Sequence, residues 1–316
     1  MDVPNQRSSH TTPTATIGGI AIVVTFFTGM VIIYFVADET RIIGHFFKGF
    51  IFSSLLIAGM SLYDDYKQKP LYLRLVTQII AIIVVMSFGI IITQIDLGFL
   101  RNNFLGMAGY LITFLWILGL TNAYNFMDGL NGMAAGNAVI AATFLGIISF
   151  SQGSNFTYIV CYVLIAGTAG FLVFNFPKGK LFMGDVGSTF LGFTFATLAI
   201  ISSFYDNPHT SLLVVPLLLF HFIYDTLFTF TRRLLRKENV FQAHRTHLYQ
   251  LFNQLGYSHT RVTVFYYATG IAQGLGACWM VQIPGPQRLL MFIPYLIFQI
   301  IYSAVIIYSV KKRNLL

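Results

Sequence analysis

Apolar stretches long enough to cross a membrane follow one another along almost the whole of this 316-residue chain. A transmembrane helix needs about 20 mostly apolar residues. Stretches of this kind lie at residues 17–37, 46–63, 72–93, 106–121, 133–150, 156–174, 186–204, 211–231, 262–281 and 289–310. We therefore predict an all-α integral membrane protein. Residues 1–316 are expected to form one membrane-embedded domain, a polytopic bundle of about ten transmembrane helices.

The charged residues are too few for a soluble protein and unevenly placed. Only 9% of the residues are charged, where soluble domains have about 25%, which excludes a soluble globular enzyme. The formal net charge of +8 does not indicate a nucleic-acid partner, because Lys and Arg gather on the cytoplasmic side of membrane proteins. With ten spans, fifteen of the 19 Lys and Arg residues lie on the side of the termini. Both termini are therefore predicted to be cytoplasmic.

The polar connecting segments share that same side. Residues 61–70, 121–132, 175–188 and 232–261 combine Asp, Asn, Gly and basic residues, and each lies on the predicted cytoplasmic side. Polarity at one face favours an enzyme that meets a soluble substrate at the bilayer surface. A transporter is expected to place polar groups near the membrane midplane. A polytopic transporter or flippase for a lipid-linked or anionic solute remains the alternative.

Two adjacent carboxylates, Asp64 and Asp65, end the second apolar stretch. Neighbouring carboxylates repel, so a cation, a metal ion or a shared proton is expected to compensate them. One interpretation is a hydrated helix end paired with Lys67 and Lys69. The other is a catalytic or metal-binding carboxylate supported by its neighbour.

Residues 122–132 carry three carboxamides, one carboxylate and two glycines where the bilayer begins. Asn122, Asn125 and Asp128 are three apart and would share one side of a helix. Asn131 follows at the same spacing. Asn and Gly also form ordinary turns, but a turn does not require four such side chains. This segment is a candidate substrate and metal site.

Residues 175–188 form a second dense polar segment. Lys180 is suited to neutralise phosphate, Phe182 to stack on a flat base, and Asp185 to hold a divalent ion. Asp185 is also a candidate for the N-cap of the following helix, a common use of Asp, and the two roles are compatible.

The sequence His-Arg-Thr-His at 244–247 lies in the most basic segment. Two histidines three apart are compatible with zinc, but no further ligand stands at a suitable spacing. We favour His244, Arg245 and His247 as donors to a pyrophosphate. A basic amphipathic helix on anionic headgroups is the alternative.

His221 and Asp225 are four residues apart within the eighth apolar stretch. Ionisable residues inside a membrane are functional by default. Asp225 is also close enough to Arg232 and Arg233 in sequence to pair with them at the interface. The sequence leaves the roles of His221 and Asp225 open.

Together these segments indicate phosphoryl transfer involving a phosphate-bearing substrate, a divalent cation and a lipid. Mg²⁺ prefers oxygen ligands and substrate phosphates, and the aspartates supply such ligands beside Lys, His and Arg. Catalysis of phosphoryl transfer is mostly positioning and charge neutralisation.

The four segments, taken in order, resemble the motifs of the polyprenyl-phosphate N-acetylhexosamine-1-phosphate transferases, the family of the MraY and WecA enzymes. The form at 244–250, His-Arg-Thr-His-Leu-Tyr-Gln, is most similar to the WbpL-like branch that starts O-antigen or capsule synthesis. The resemblance implies transfer of an N-acetyl-amino-sugar 1-phosphate from a UDP-sugar to undecaprenyl phosphate. It implies Mg²⁺, or Mn²⁺ in its place, as cofactor, a bacterial inner membrane with the site facing the cytoplasm, and a homodimer.

The resemblance also implies roles for single residues. Asp64 is expected to orient or deprotonate the lipid phosphate, with Asp65 in support. Asp185 is the leading Mg²⁺ ligand. The other expected roles are metal and nucleotide contacts for Asn125 and Asp128, substrate contacts for Asn122, Asn131, Lys180 and Arg245, stacking on uracil for Phe182, and diphosphate contacts for His244 and His247.

Three features depart from the family's usual pattern. Asn131 stands where MraY- and WecA-like members often have Asp. Residues 15–19 read Ala-Thr-Ile-Gly-Gly where Pro-Arg-Gly-Gly is common. Residues 2–10 resemble the loop after the family's first span, so that span is expected to be missing.

Overall fold

The computed structural model describes residues 15–36, 44–67, 71–95, 103–207, 209–240, 242 and 244–315. Its helices are α1 (Gly18–Val36), α2 (Gly44–Lys67), α3 (Leu71–Ser87), α4 (Met107–Phe126), α5 (Met133–Gln152), α6 (Asn155–Asn175), α7 (Gly184–Phe204), α8 (Val214–Leu218), α9 (Phe220–Leu235), α10 (Leu248–Gln254), α11 (His259–Met280) and α12 (Phe292–Lys312). A 3₁₀ helix at Gly285–Met291 precedes α12, and two short antiparallel strands, β1 (Gln94–Ile95) and β2 (Asn103–Phe104), lie between α3 and α4. The predicted all-α class is confirmed. Two expectations, the resemblance of residues 2–10 and the pairing with Lys69, concern residues outside the described ranges.

Seven helical segments in the described part of the chain are long and apolar enough to cross a membrane. They are α1, α2, α4, α5, α6, α7 and the continuous segment Gly285–Lys312. The protein is therefore a multi-pass membrane protein. The other three predicted stretches are also helical, but α3 ends at Ser87, the eighth stretch is interrupted at Leu219, and α11 buries polar residues along its 22-residue length. A total of ten spans stays a prediction.

Helix α7 occupies the centre of the bundle. All residues of its 18-residue apolar stretch are buried, whereas 22% of the corresponding stretch is buried in α1 and 17% in the segment that contains α12. Small residues allow this close approach: a Cβ added at Gly192 of α7 would lie 2.7 Å from Cβ of Tyr124 in α4. Because α7 also packs on α2, its N-terminus is held beside the C-terminal ends of α2 and α4.

Helix α9 turns a polar stripe toward the interior. His221, Asp225 and Thr229 follow each other at intervals of four and are buried, whereas Leu227 and Leu234 are exposed. This inverts the pattern of a soluble helix, as expected where lipid is the solvent. The stripe leads directly to the segment that carries residues 244–247.

Candidate active site

The predicted acidic and amide residues meet at one end of the bundle. Asp64 and Asp65 stand in the last turn of α2, Asn122 and Asn125 near the end of α4, and Asp185 in the first turn of α7. Hydrogen bonds and ion pairs join all three helix ends. The tertiary structure thus brings together side chains that lie up to 121 positions apart in the sequence.

Asp65 caps helix α7. Its carboxylate accepts the backbone N–H of Asp185 at 3.1 Å and that of Val186 at 3.0 Å. Helix N-termini leave such N–H groups without intrahelical partners, and a carboxylate there is stabilising. Gly184 makes the approach possible, since its φ is +71° and a Cβ would lie 2.6 Å from Oδ2 of Asp65. The interpretation of Asp185 as the N-cap is therefore wrong, and its side chain is available for other contacts.

Arg74 of α3 joins the two acidic segments. Its guanidinium forms ion pairs with the carboxylates of Asp64 and Asp185. Asp64 is buried, and its cationic partner is Arg74, whereas the ammonium of Lys67 lies over the ring of Tyr66. Among the described residues Lys67 forms no ion pair with Asp64 or Asp65, so this part of the hydrated-helix-end interpretation is wrong. Arg74 was not among the predicted site residues, although a lone Arg inside a predicted span was a usable signal.

The amides of α4 complete this part of the site. Asn125 Nδ2 donates to Asp185 Oδ1 at 2.9 Å and to Ser188 Oγ at 2.8 Å. Asn122 Nδ2 donates to Gln78 Oε1 of α3 at 2.7 Å. Asn125 therefore holds Asp185, and Asn122 fixes α4 against α3 next to Arg74.

Asp128 follows the end of α4, at Phe126, and so lies beyond the helix on which the spacing argument placed it. Burial, followed by the charges of Asp185 and Asp65, raises the pKa of its carboxyl to about 7. Carboxylates that repel one another in this way favour a bound cation.

The side chains at this site are compatible with Mg²⁺ but are too few to bind it without a further ligand. Mg²⁺ is usually held by one or two carboxylates together with substrate phosphates, and Asp128 and Asp185 provide two carboxylates, with the Asn125 amide beside them. Within the described ranges, no group of three or more His, Cys, Asp and Glu side chains is able to hold a metal ion. The residues therefore fit a cation that a phosphate ligand helps to bind.

The α6–α7 connection is anchored next to the α4–α5 turn. Asn131 Nδ2 donates to the carbonyl of Pro177 at 3.1 Å, and Asn175 Oδ1 accepts the N–H of Gly132 at 2.6 Å. Lys180 is exposed. The backbone N–H of Phe182 donates to Ala15 O at 2.8 Å. In this arrangement the Asn131 amide organises the turn, and the contacts of Lys180, Phe182 and Asn131 with a nucleotide stay predictions.

The His-Arg-Thr-His segment reaches the same end of the bundle. The rings of His244 and His247 stack with centroids 4.9 Å apart, and the His247 ring lies 5.7 Å from that of Phe126 in α4. Tyr249 Oη donates to the Phe126 carbonyl at 2.9 Å. These contacts place the rings of His244 and His247 beside the C-terminal end of α4.

His244 is neutral at neutral pH in this structure. Burial, and then the positive charges of His247, Arg233 and Arg232, lower the pKa of His244 to about 4. Its Nδ1 accepts from Thr246, at 3.3 Å from the backbone N and 3.1 Å from Oγ1. A pKa this low keeps the ring neutral near pH 7, and the contact of His244 with a diphosphate stays a prediction.

Asp225 has partners other than those expected from its position in the sequence. It accepts hydrogen bonds from the His247 segment and from α11, and it makes no ion pair with Arg232 or Arg233. Arg232 instead donates to the carbonyl of Thr246, and Arg233 binds Glu238. The interpretation of Asp225 as a residue that snorkels toward these arginines is wrong.

A cavity of about 290 Å³ lies between α2, α3, α4 and α7. Its lining includes the charged and amide side chains of Asp64, Arg74, Asn122, Asn125 and Asp185. Its remaining wall includes apolar side chains of α2 and α3 that are exposed on the outer surface of the bundle, namely Met60, Leu73, Val76 and Ile80. The cavity therefore borders both the charged cluster and the lipid-facing surface.

Comparison with known proteins identifies the family. The model of glycosyl transferase family 4 matches residues 47–203. The chain is 31% identical over 279 residues to a probable undecaprenyl-phosphate N-acetylglucosaminyl 1-phosphate transferase of Bacillus subtilis (strain 168), covering 88% of this chain and 76% of that relative. The chain belongs to glycosyl transferase family 4. The predicted family resemblance is confirmed, while the assignment to a WbpL-like branch stays a prediction.

Further glycosyl transferase family 4 relatives carry related names. A decaprenyl-phosphate N-acetylglucosaminephosphotransferase of Mycobacterium tuberculosis (strain CDC 1551 / Oshkosh) is 30% identical, over 84% of this chain and 71% of its own length. A phospho-N-acetylmuramoyl-pentapeptide-transferase of Staphylococcus saprophyticus is 27% identical, over 87% of both chains. The region matched by the family model contains Asp64, Asp65, Arg74 and Asp185, and it ends before residues 244–247.

Proposed function

We propose that this protein transfers an N-acetyl-amino-sugar 1-phosphate from a UDP-sugar to undecaprenyl phosphate, with Mg²⁺ as cofactor. The products are undecaprenyl-diphospho-sugar and UMP. Family membership and the names of the relatives support the reaction class. The observation that carries the proposal is the cavity in which Asp64, Arg74 and Asp185 stand beside lipid-facing apolar walls.

The lipid substrate fits the α2–α3 side of this cavity. A polyprenyl chain needs an apolar surface open to the bilayer, and its phosphate needs a cationic donor at the membrane boundary. Met60, Val76 and Ile80 supply the first requirement, and Arg74 supplies the second. A guanidinium binds phosphate in a bidentate manner, and Asp64 lies beside it to orient the phosphate or accept its proton.

The nucleotide sugar belongs on the α4–α7 side. Asp185 and Asp128 would hold Mg²⁺ together with the diphosphate, with Asn125 fixing Asp185. When bound, Mg²⁺ neutralises the negative charge of the diphosphate. Residues 244–247 supply further donors to the diphosphate, while Lys180 and Phe182 are the proposed phosphate and uracil contacts.

The chemical step is a displacement at phosphorus. An oxygen of the lipid phosphate attacks the β-phosphorus of the UDP-sugar, and the bond from that phosphorus to the bridging oxygen breaks, which releases UMP. The chain's residues position the two anions and compensate their repulsion, which is the main requirement of phosphoryl transfer. Arg74 is placed to stabilise the approach of the attacking phosphate.

We further propose that the protein resides in a bacterial inner membrane with this site facing the cytoplasm, where UDP-sugars are made. The excess of Lys and Arg on that side supports the orientation. The product would start a cell-surface polysaccharide such as O-antigen, capsule or a related cell-wall glycan. A homodimer remains a prediction from the family resemblance.

The test is UMP release by purified protein in detergent. UDP-GlcNAc and undecaprenyl phosphate are supplied with Mg²⁺, then with EDTA, and the lipid product is identified by mass. We expect UMP and lipid-linked sugar to form together, to stop in EDTA and to return with added Mg²⁺. Asp185→Asn should reduce turnover at least 100-fold while the protein still inserts. Absence of lipid product across a panel of UDP-amino-sugars would contradict the proposal.

A further inference from the structure

Asp225 is a buried carboxylate that the reaction described above does not use. It is 1% exposed and accepts five hydrogen bonds. Oδ1 is contacted by Leu248 N at 2.9 Å and by Thr229 Oγ1 and His247 Nδ1 at 3.2 Å. Oδ2 is contacted by Tyr249 N at 3.2 Å and Tyr266 Oη at 3.1 Å. Every site on this carboxylate therefore serves as an acceptor.

These contacts decide which nitrogen of His247 carries a proton. A carboxylate that accepts from two backbone N–H groups and a tyrosine offers no proton, so Nδ1 of His247 has to donate. Because Nδ1 is occupied by its hydrogen bond to Asp225, only Nε2 is left to contact another group. His247 Nε2 is then the nitrogen left for a ligand, on a ring that lies between His244 and Phe126.

The same carboxylate fixes where the ring stands. Asp225 takes the first two N–H groups of α10, which immediately follows His247. Arg232, two turns along α9, donates to the carbonyl of Thr246. One rigid helix thus determines both the backbone path and the ring orientation at His247.

We propose that Asp225 is a positioning residue that accepts from Nδ1 of His247 and so turns the Nε2–H group of the imidazolium ring toward the diphosphate of the substrate. Asp225 acts only through His247 and touches no substrate. The inference rests on the proposed function, because it assumes that His247 contacts the diphosphate.

The direct measurement uses the wild-type protein. Histidine labelled with ¹⁵N reports its tautomer in two-bond ¹H–¹⁵N spectra, and the His247 signal is assigned by its loss in His247→Asn. We expect Nδ1 of His247 to be protonated. A His247 ring protonated only at Nε2 would overturn the proposal, whether or not any variant folds and whether or not the enzyme assay succeeds.

Kinetic coupling tests whether Asp225 acts through His247. His247→Asn keeps an N–H donor near the Nδ1 position and lacks Nε2, so we expect near-normal thermal stability and at least 100-fold lower turnover. Asp225→Asn should lower wild-type turnover at least 10-fold, yet change the residual turnover of His247→Asn by less than twofold. Equal effects in both backgrounds would overturn the proposal.

Asp206 provides a matched control. It is also buried and caps a helix, accepting Thr157 N at 2.8 Å and Thr157 Oγ1 at 2.7 Å, but it follows the opposite end of α7. Asp206→Asn should lower stability and leave the turnover of folded protein within twofold of wild type. A loss of turnover equal to that of Asp225→Asn would show that general destabilisation explains both. If wild-type protein releases no UMP, the proposed function fails, and the tautomer result still decides the Asp225–His247 relationship.

Discussion

The carboxylate of Asp65 accepts the backbone N–H of Asp185 at 3.1 Å, across 120 positions of sequence. The C-terminal end of α2 therefore caps the N-terminus of α7. This relationship aligns the adjacent Asp64 with the proposed metal ligand, because the orientation of one helix end sets that of the other. Support for the site and chemistry at the site are thus divided between two neighbouring carboxylates.

Asp65→Asn is expected to reduce stability and turnover together. Each of the two N–H groups at the start of α7 bonds a different oxygen of Asp65. The amide replaces one of these oxygens by an NH₂ group that cannot accept, so one N–H group loses its partner, at a cost of about 1 kcal/mol. Asp64→Asn should lower turnover by orders of magnitude with less effect on thermal unfolding. Circular-dichroism melts and UMP release on both variants check this difference. If the two variants melted at the same temperature, and Asp64→Asn kept more turnover than Asp65→Asn, the prediction would be contradicted.

Arg74→Gln should lower kcat/KM for undecaprenyl phosphate at least 10-fold, or about 1.4 kcal/mol. The loss follows because the phosphate loses a bidentate cationic donor and because Asp64 and Asp185 lose their shared partner. Arg74→Lys should fall between Gln and wild type, since an ammonium is a point charge. Lys67→Gln is the control, because Lys67 is exposed at the end of α2. An Arg74→Gln enzyme as active as that control would disprove the assignment.

The low pKa of His244 makes the folded protein sensitive to acid. Its pKa is lowered to about 4 in the folded protein, against about 6.5 when unfolded. Between these values the unfolded chain binds the proton more readily, so stability is lost as the pH falls from about 6.5 toward 4. His244→Gln should therefore show a smaller decrease in melting temperature between pH 7 and pH 5. An equal decrease in the melting temperatures of wild type and His244→Gln would contradict this prediction.

Gly129 is predicted to tolerate no side chain. A Cβ there would lie 2.1 Å from Oη of Tyr249, the hydroxyl that donates to Phe126 O. Gly129→Ala should cost about 1–3 kcal/mol of stability and lower turnover, because it displaces the segment that follows His247. Gly119→Ala, in α4 with open space around its Cβ, should be neutral or slightly stabilising. Thermal melts of both variants decide the comparison.

Sequence reasoning located the acidic and amide segments because membrane topology restricts where loops lie. Counting spans placed residues 61–70, 121–132 and 175–188 on one face, and the structure brings Asp65, Asn125 and Asp185 into contact. Helix ends in a bundle have few positions available, so polar ends on one side are expected to meet.

Individual partners were harder to predict. Arg74 was counted only as a charge that indicates orientation, because its contacts depend on how α3 packs against α2 and α7. The sequence offered Asp185, within the same segment, only as an alternative cap of α7, whereas the side chain that caps this helix is Asp65 from another helix. Local rules favour local partners, and here the close packing at Gly184 selected a distant one.

The membrane class, the family and the grouping of polar segments follow from the order of residues alone, because hydrophobic length and motif spacing are properties of a linear chain. The identity of the partners of Asp64, Asp185 and His247 does not. Those pairs join separate helices, and their formation depends on the packing angles and on the glycines that let backbones approach. Only the folded bundle decides that Arg74 lies between two carboxylates and that Asp225 faces His247.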